Sequence, residues 1–339
     1  VRRSWKWKDR PQGEQVKGPE YETLGLMGAS LGIFNLDRVM QYNEMLDDLG
    51  MDSISAGGTI AWAMEANQKG LYKCGLDFGD AEAVEKVVED IAFRRGIGDE
   101  LANGSRWLAR KYGGEDFAIQ VKGLEMAAYD PRGCFGQGLD YATQNRGGCH
   151  INGGVMYFEA TGPLSVDPLS TSAKPELVVF QQNLFATMNA MVTCVFSGYA
   201  IIPGLASHLA PQSKLYRGIT WVVKNSGPVL KIALKTKLFA PVLWYERFLG
   251  LITGEKYTLG RITETGERNF NMERLFNIRE GFTGKDDTLP KRMLEEPSFP
   301  GEKAGVPLHE MLPKYYRLRG WDENGIPTEA TLNRLKIRR

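Results

Sequence analysis

The chain has 339 residues, of which 24% are charged, and its formal net charge at pH 7 is only +1. This length is sufficient for two domains that each bury a core of their own. The near balance of charge gives no electrostatic reason to expect nucleic acid or an anionic membrane as a partner. The four cysteines are too few and too scattered for a disulfide framework, which favours a reducing, cytoplasmic compartment.

The sequence contains no segment with the features of a signal peptide or a membrane span. The first twenty residues are basic and polar rather than apolar. The longest uncharged stretch, Leu177–Ser213, is broken by glutamines, Asn183 and two prolines, so it predicts buried helix. Because the chain begins without Met, we expect a fragment or a processed product.

Hydrophobic periodicity predicts two amphipathic helices in the first part of the chain. Residues 36–49 place apolar side chains on one helical face, with Asn35 at the N-cap and Gly50 after the C-terminus. Residues 80–95 repeat this pattern, with Asp80 as the cap and a glycine as the stop.

The texture of the sequence changes near residue 120. Before this point we predict a short helix over Arg106–Tyr112 and a short strand over 117–122. Residues 122–154 are rich in glycine and lack periodicity, which is typical of a functional loop. The later elements that we predict are two helices, at roughly 174–200 and 214–252, and a loop-rich part at Ile278–Arg319. The sequence therefore predicts a mainly α fold with two helical domains.

Gly28–Gly32, GASLG, matches the G-x-S-x-G pattern of the nucleophile elbow in α/β-hydrolases. That turn needs a strand before Ser30, a helix after it, and an acid and a histidine further along the chain. A helix is predicted after it, and His150, His208 or His309 could complete a triad. An alternating α/β pattern is missing, however, and close approach of two backbones explains the small residues more simply.

The stretch DDLGMD at residues 47–52 places two carboxylates in the last turn of the first predicted helix. Carboxylates there face the negative end of the helix dipole, which is unfavourable by about 0.3 kcal/mol or more. Exposure to water explains Asp48, whereas Asp47 and Asp52 are better explained if a ligand donates hydrogen bonds to them. Adjacent N–H groups, as on the edge of a pterin or a guanine, suit an acceptor with two oxygens.

Several longer segments occur together in the order found in one enzyme family. They are GPEYET (18–23), DDLGMDSISAGG (47–58), KGLEMAAYDPRG (122–133), YATQNRGGCH (141–150), REGFTGKDDTLPKR (279–292) and YYRLRGWDENGIPTEATL (315–332). On these segments, nearly the whole chain resembles the C-terminal portion of the aldehyde ferredoxin oxidoreductase family, the tungsten or molybdenum enzymes with a bis-pterin cofactor. The resemblance implies that residues 1–120 form the family's second domain and residues 121–339 its third, with the N-terminal pterin-binding domain absent.

In this family two D-x-x-G-L-[DC] segments each hold one pterin. The first resembles Asp47–Asp52, with Met51 in the position of the leucine. The resemblance therefore implies that Asp47, Met51 and Asp52 bind the cofactor.

The second pterin segment resembles Asn189–Cys194 and departs from the family pattern. Asn189 replaces the aspartate, Val192 the glycine and Thr193 the leucine. Asn189 and Thr193 are the cofactor-binding residues that the resemblance implies here. Asn189 offers a carbonyl acceptor but lacks the charge-assisted contact of two carboxylate oxygens.

Cys194 resembles the fourth ligand of the family's 4Fe–4S cluster. In these enzymes the other three ligands come from a C-x-x-C-x-x-x-C run upstream of GPEYET, and Cys74, Cys134 and Cys149 lack that spacing. We therefore expect that this chain by itself does not hold the cluster. The alternative for Cys194 is a small, buried apolar residue.

The resemblance also implies two catalytic residues. In the family, dithiolene sulfurs of the two pterins hold the tungsten, and a glutamate and a histidine near the metal match Glu22 and His150. His150 has a pKa range suited to proton transfer, and Glu22 could orient water or share a proton. A turn-stabilising hydrogen bond is the structural alternative for His150. Gly147 and Gly148 would allow the backbone to approach the cofactor closely.

The implied reaction is oxidation of a small aldehyde to a carboxylate, with electrons passing through the iron–sulfur cluster to ferredoxin or another redox partner. We expect a cytoplasmic enzyme that binds neither nucleic acid nor membrane, with a homodimer as one assembly to test, and a chain that is inactive alone. One alternative is the same scaffold acting on another substrate, such as an aromatic acyl-CoA. The other is a non-catalytic remnant that serves as an interaction domain.

Overall fold

The computed structural model describes residues 4–5, 16–161, 166–194, 214, 245–257, 259–299, 301 and 305–338. These residues divide into two compact units. Unit 1 is drawn from Val1–Ala128, Arg146–Cys149 and Pro290–Arg292, and unit 2 from Tyr129–Asn145, His150–Leu289 and Met293–Arg339. No helix in the described part of the chain is long and apolar enough to cross a membrane. The assignment of residues 1–120 and 121–339 to the family's second and third domains stays a prediction.

Unit 1 is helical apart from two short antiparallel strand pairs. Its helices are α1 (Tyr21–Thr23), a π-helix (Leu24–Gly28), a 3₁₀ helix (Ala29–Leu31), α2 (Leu36–Leu49), α3 (Ser53–Gln68), α4 (Ala81–Phe93), α5 (Ile97–Leu101), α6 (Ser105–Tyr112) and a 3₁₀ helix (Glu115–Phe117). The strands are β1 (Ser4–Trp5) with β2 (Val16–Lys17), and β3 (Gln120–Val121) with β4 (Leu124–Glu125).

The helix termini predicted for α2 and α4 are confirmed with one adjustment. The Asn35 side chain accepts hydrogen bonds from the first-turn amides of α2, and Gly50 ends that helix in the left-handed region at φ 66°. Asp80 caps α4 by accepting from the Ala83 amide at 3.0 Å. Helix α4 ends earlier than predicted, because Arg94 takes the left-handed conformation at φ 52°.

Helix α3 was missed by the periodicity argument because it is buried on several faces. Ile60 and Met64 are fully buried, and so are side chains on its other faces. A Cβ on Gly57 would lie 2.7 Å from the Leu26 carbonyl oxygen, so glycine allows α3 to pack directly on the π-helix. A helix surrounded by protein has no polar face, and therefore no amphipathic signal.

A buried carboxylate joins three parts of unit 1. Glu125 accepts from the Ser105 amide at 2.9 Å, from its hydroxyl at 2.7 Å, and from the Thr59 hydroxyl at 3.3 Å. The negative charge therefore lies at the N-terminus of α6, where the helix dipole favours it.

The described part of unit 2 is built mainly from helices. In chain order they are a 3₁₀ helix (Pro131–Gly133), α7 (Phe135–Thr143), a π-helix (Tyr157–Thr161), α8 (Lys174–Ala190), α9 (Tyr245–Thr253), α10 (Leu259–Arg279), a 3₁₀ helix (Gly284–Asp286), α11 (Lys291–Glu295, shared with unit 1), α12 (Leu308–Arg319) and α13 (Glu329–Leu335). The helix predicted at 174–200 ends at Ala190, earlier than predicted. The helix predicted at 214–252 is found at Tyr245–Thr253, and residues 215–244 lie outside the described residues. The mainly α class is confirmed.

Two sequence expectations for unit 2 are wrong. Residues 122–154 are not one loop, because α7 runs through them and is buried along its whole length. Residues 278–319 are less irregular than predicted, because α12 continues through Pro313. Glycines in α7 and prolines in the later segment lower intrinsic helix propensity, and tertiary packing outweighs that preference here.

The interior of unit 2 contains a charged pair shielded from water. Arg274 donates to both carboxylate oxygens of Asp287, at 2.9 and 2.7 Å, and its Nε donates to the Gly325 carbonyl. The Tyr316 hydroxyl also donates to Asp287 at 2.7 Å, and the guanidinium lies 4.8 Å from the Trp321 ring centroid. Every strong polar group of the pair is therefore compensated, which a buried charge requires.

Candidate cofactor and active site

Glu22, predicted to be catalytic, is buried in unit 1 and holds a backbone amide. Its Oε2 accepts from the Ala128 amide at 2.7 Å, and the neighbouring Tyr21 hydroxyl donates to the Ala128 carbonyl at 3.1 Å. Burial raises the pKa of the Glu22 carboxyl, the Ala128 amide opposes this shift, and the charge of Asp52 adds to it. Glu22 is therefore fixed in position and retains a proton more readily than an ordinary glutamate.

The chain around Glu22 has an unusual backbone. Helix α1 widens directly into the π-helix Leu24–Gly28, a conformation that occurs frequently at functional sites. Within it, a Cβ on Gly25 would approach the Ala128 Cβ to 2.6 Å, so a larger residue would displace the segment that Glu22 holds.

The nucleophile-elbow interpretation of GASLG is wrong. Ser30 lies in the 3₁₀ helix Ala29–Leu31, and the element before it is the π-helix rather than a strand. The strand–turn–helix geometry that exposes a hydrolase nucleophile is therefore missing.

The first predicted pterin segment forms a helix-ending turn. The Met51 amide donates to the Leu46 carbonyl at 2.9 Å, and the Gly50 amide to the Asp47 carbonyl at 3.3 Å. The Asp47 side chain is exposed, and no described residue forms a hydrogen bond or ion pair with its carboxylate. Asp52 has a structural role that the sequence argument overlooked, because it caps α3 by accepting from the Ser55 amide at 2.8 Å.

The second predicted pterin segment has the same turn at the end of α8. The Thr193 amide donates to the Met188 carbonyl at 3.1 Å, and the Val192 amide to the Asn189 carbonyl at 3.0 Å. Val192 occupies the left-handed region at φ 55°, as Gly50 does in the first segment. The two segments therefore share one backbone geometry in spite of their different sequences.

We expect Val192→Gly to stabilise the protein by about 1 kcal/mol. A left-handed conformation costs an L-residue about 1–2 kcal/mol, and the extra unfolded-state entropy of glycine removes part of the gain. The measurement is the midpoint of thermal unfolding. Val192→Ala, which removes the branched side chain but keeps the strained φ, is the matched control and should change the midpoint less. A lower midpoint for Val192→Gly would show that the left-handed backbone at Val192 is not strained.

Asn189 contacts the loop that carries His150. Its Nδ2 donates to the Asn152 Oδ1 at 3.1 Å, and the Gly154 amide closes the same loop on the His150 carbonyl at 3.0 Å. The His150 ring packs beside Tyr129, with centroids 5.5 Å apart. Within unit 2, Asn189 therefore contacts the loop on which His150 lies. Within unit 1, Glu22 lies close enough to Asp52 for the charge of Asp52 to raise its pKa.

Gly147 and Gly148 approach protein backbone closely rather than open space. A Cβ on Gly148 would lie 2.6 Å from the Leu124 carbonyl oxygen, and one on Gly147 would collide with the Val121 carbonyl. Packing against the β3–β4 hairpin therefore accounts for both glycines. Sequence reasoning missed Tyr21 and Tyr129, although both lie in the quoted segments GPEYET and KGLEMAAYDPRG.

Two helix-ending turns and one cysteine offer donor atoms to the groups that the resemblance implies. Exposed oxygens of Asp47 and Asn189, each three residues before the left-handed position of its turn, match the N–H edge of a pterin. Cys194 is exposed, whereas Cys134 and Cys149 are buried. Within the described ranges, no three His, Cys, Asp or Glu side chains cluster as a metal site. Cys194 thus fits a role as one ligand of a cluster, and the described residues alone do not complete the set.

Known proteins match nearly the whole length of the chain. Residues 2–337 match the family described as aldehyde ferredoxin oxidoreductase, domains 2 & 3. The chain is 39% identical over 333 residues to the tungsten-containing aldehyde ferredoxin oxidoreductase of Pyrococcus furiosus, covering 94% of this chain and 48% of that protein. The enzyme of the same name from Thermococcus kodakarensis is 38% identical over 328 residues, covering 93% and 48%. The chain spans about half the length of the curated relatives it matches.

More distant relatives share the scaffold. The aliphatic sulfonate oxidoreductase, WOR-like subunit, of Pyrococcus furiosus is 26% identical over 347 residues, covering 96% of this chain and 47% of that protein. Among solved structures, the active-site complex BamBC of benzoyl coenzyme A reductase with 1,5-dienoyl-CoA matches at a TM-score of 0.63 and 21% identity, covering 98% and 50%. At 21% identity, the similarity to the BamBC complex concerns the fold alone. Because the model of domains 2 and 3 matches residues 2–337, the chain belongs to the aldehyde ferredoxin oxidoreductase family of oxidoreductases.

Proposed function

We propose that this chain forms the C-terminal part of a tungsten or molybdenum bis-pterin enzyme that oxidises an aldehyde to a carboxylate and reduces ferredoxin. The family match over residues 2–337 carries the proposal. A second support is the helix-ending turn. It occurs at both pterin segments, with Asp47 and Asn189 in equivalent places.

Each turn would present acceptors to one pterin. Asp47 offers two charged oxygens to neighbouring N–H groups, whereas Asn189 offers one neutral oxygen because its amide nitrogen donates to Asn152. Met51 and Thr193, which directly follow the two left-handed residues, would complete the contacts. We expect the second pterin to be held less strongly than the first, since it lacks the charge-assisted hydrogen bonds.

The cofactor, when bound, supplies the two-electron redox chemistry. Oxidation of an aldehyde consumes one water and releases two electrons and three protons as the carboxylate forms. His150 has the pKa range to accept a proton from water that adds to the carbonyl carbon. Glu22, whose pKa is raised, would orient water or exchange a proton with it. Cys194 would supply one ligand of a 4Fe–4S cluster, a group whose chemistry is electron transfer.

The proposal extends to the arrangement of the intact protein. Units 1 and 2 would correspond to the family's second and third domains, with an N-terminal pterin-binding domain and the remaining cluster ligands supplied by other residues. We propose a cytoplasmic enzyme. Light scattering of the natural protein would distinguish a monomer from a homodimer.

The test is metal analysis and assay of the natural, full-length protein. We expect about one tungsten or molybdenum and four irons per chain, with reduction of ferredoxin by short aldehydes. An aryl-CoA is the alternative substrate. Turnover of the aryl-CoA in place of aldehydes would assign the scaffold another reaction, and a protein without either metal would identify a non-catalytic remnant. Ester hydrolysis, unchanged by metal removal, would refute the oxidoreductase.

A further inference from the structure

The loop that carries His150 rests on polar side chains of α7 and α8 inside unit 2. The Met156 amide donates to the Gln137 Oε1 at 3.0 Å. The Gln181 Nε2 donates to the Gly153 carbonyl at 3.3 Å. Gln137 and Gln181 are both buried, so these are fixed supports rather than mobile surface contacts. Each holds a backbone group of the loop a few residues after His150.

Gln137 connects the loop to a buried carboxylate. Its Nε2 donates to the Asp140 Oδ2 at 3.3 Å, while its Oε1 accepts from the loop. Asp140 also accepts from Gln144 at 2.7 Å and Gln182 at 2.9 Å, both through Oδ1. Three amide groups thus donate to Asp140, and no described cation forms a salt bridge with it. Gln144 and Gln182 both donate to Oδ1, so either one is sufficient to hold the carboxylate whose Oδ2 orients the Gln137 amide.

The backbone of the loop lies directly against this carboxylate. A Cβ on Gly153 would collide with both oxygens of Asp140, so only glycine permits the observed approach. Burial raises the pKa of Asp140 to about 7, the amide donors oppose this shift, and the charge of Glu159 adds to it. Glu159 is itself paired with Lys174, and both are fully buried. Burying a carboxyl group away from water costs free energy. The interactions that Asp140 supports in return are its contacts with Gln137 and with the backbone at Gly153.

We propose that Gln137 is a positioning residue for His150, holding its loop in the working conformation by linking the Met156 amide to Asp140. This inference rests on the role of His150 under the proposed function. It assigns Gln137 no contact with substrate or cofactor. The alternative is a polar network that only stabilises the fold, in which case the Met156 contact would be one hydrogen bond among several.

Gln144 provides a matched control for Gln137. Both glutamines are buried and both donate one hydrogen bond to Asp140, but no hydrogen bond joins Gln144 to residues 150–156 in the described structure. Replacement of either by Met keeps the length of the side chain and removes one donor from Asp140. Gln137→Met also removes the acceptor of the Met156 amide, whereas Gln144→Met does not. The difference between the two variants therefore isolates the contact with the loop.

The experiment uses the natural, full-length protein and three readouts. They are hydrogen exchange at the Met156 amide, the NMR signals and titration of the His150 imidazole, and kcat and KM for an aldehyde. The His150 signals are identified by their loss in His150→Ala. For Gln137→Met we expect exchange about tenfold faster, shifted His150 signals, and kcat about tenfold lower with KM little changed. For Gln144→Met we expect a similar loss of thermal stability, with the His150 signals and kcat within about twofold of the unchanged protein.

Equal effects of the two variants on His150 would overturn the positioning role. If Gln137→Met does not fold, Gln181→Met removes the other support, at Gly153, and should shift the same His150 signals; unshifted signals would overturn the proposal. The readouts distinguish failure of the proposed function from failure of the positioning role of Gln137. Full activity in His150→Ala would remove the catalytic role of His150, while the exchange and NMR readouts would still report whether Gln137 holds the loop.

Discussion

His150→Ala and Glu22→Gln should each lower turnover of aldehyde in the intact enzyme by about 10²- to 10⁴-fold, with unchanged tungsten or molybdenum content. Positioned acid–base groups contribute rate factors of about this size. Metal content should be unaffected because the implied metal ligands are pterin sulfurs rather than these side chains. Glutamine at position 22 keeps an oxygen that can accept from the Ala128 amide and removes only the ionisable group.

The measurements are kcat with a short aldehyde and metal content of the same samples. His309→Ala and Glu20→Gln are the matched controls, because both residues are exposed and neither lies in the candidate site. Both should keep activity within about twofold. Turnover of His150→Ala or Glu22→Gln at the level of these controls would remove the role assigned to that residue, and parallel loss of metal would assign it to cofactor retention instead.

The pH profile provides a second check on Glu22. Its raised folded-state pKa means that the carboxyl stays protonated at a pH where an ordinary glutamate is ionised. If the ionised form accepts the proton, activity falls as pH decreases through that raised pKa, and this acid limb disappears in Glu22→Gln. An acid limb that persists unchanged in the variant would assign the titration to another group.

Arg274→Met should destabilise the protein by about 3–5 kcal/mol, the largest effect on stability that we predict. The substitution leaves Asp287 charged and buried, with only the Tyr316 hydroxyl of the contacts described above. The measurement is unfolding by denaturant, followed by tryptophan fluorescence because Trp321 lies beside the guanidinium.

Arg279→Met is the control for this prediction. Arg279 ends the same helix, but its ion pair with Glu280 is exposed, and such pairs contribute about 0–1 kcal/mol. The double change Arg274→Met with Asp287→Leu should recover much of the loss, because an apolar pair of similar volume needs no compensation. A loss for Arg274→Met no larger than for Arg279→Met would show that the buried pair is replaceable by water.

Amphipathic elements were predictable from the sequence, and fully surrounded elements were not. Helix α4 exposes one face, so its apolar spacing and its Asp80 cap located it. Helices α3 and α7 are enclosed by protein, and glycines at their closest contacts lowered the apparent helix propensity further. Their positions depend on tertiary packing, which local spacing does not encode.

The sequence suggested candidate site residues, but it did not predict their local contacts. The sequence located the turn at Asp47, but it did not separate a ligand contact at Asp52 from the helix cap found there. It also gave no sign of the support beneath His150, because Gln137 and Asp140 lie in a helix that the periodicity argument missed. Long-range polar contacts of this kind join residues far apart in the sequence.

The left-handed Val192 has a consequence for the search for relatives of this protein. Hydrogen bonds at the end of α8 give this segment the same turn as Gly50 gives to the end of α2, although a branched residue occupies the left-handed position. A search that requires glycine at this place would pass over chains with a branched residue there. Comparison of helix-terminal hydrogen-bond patterns would recover them, since the amide-to-carbonyl pairing forms here without a glycine.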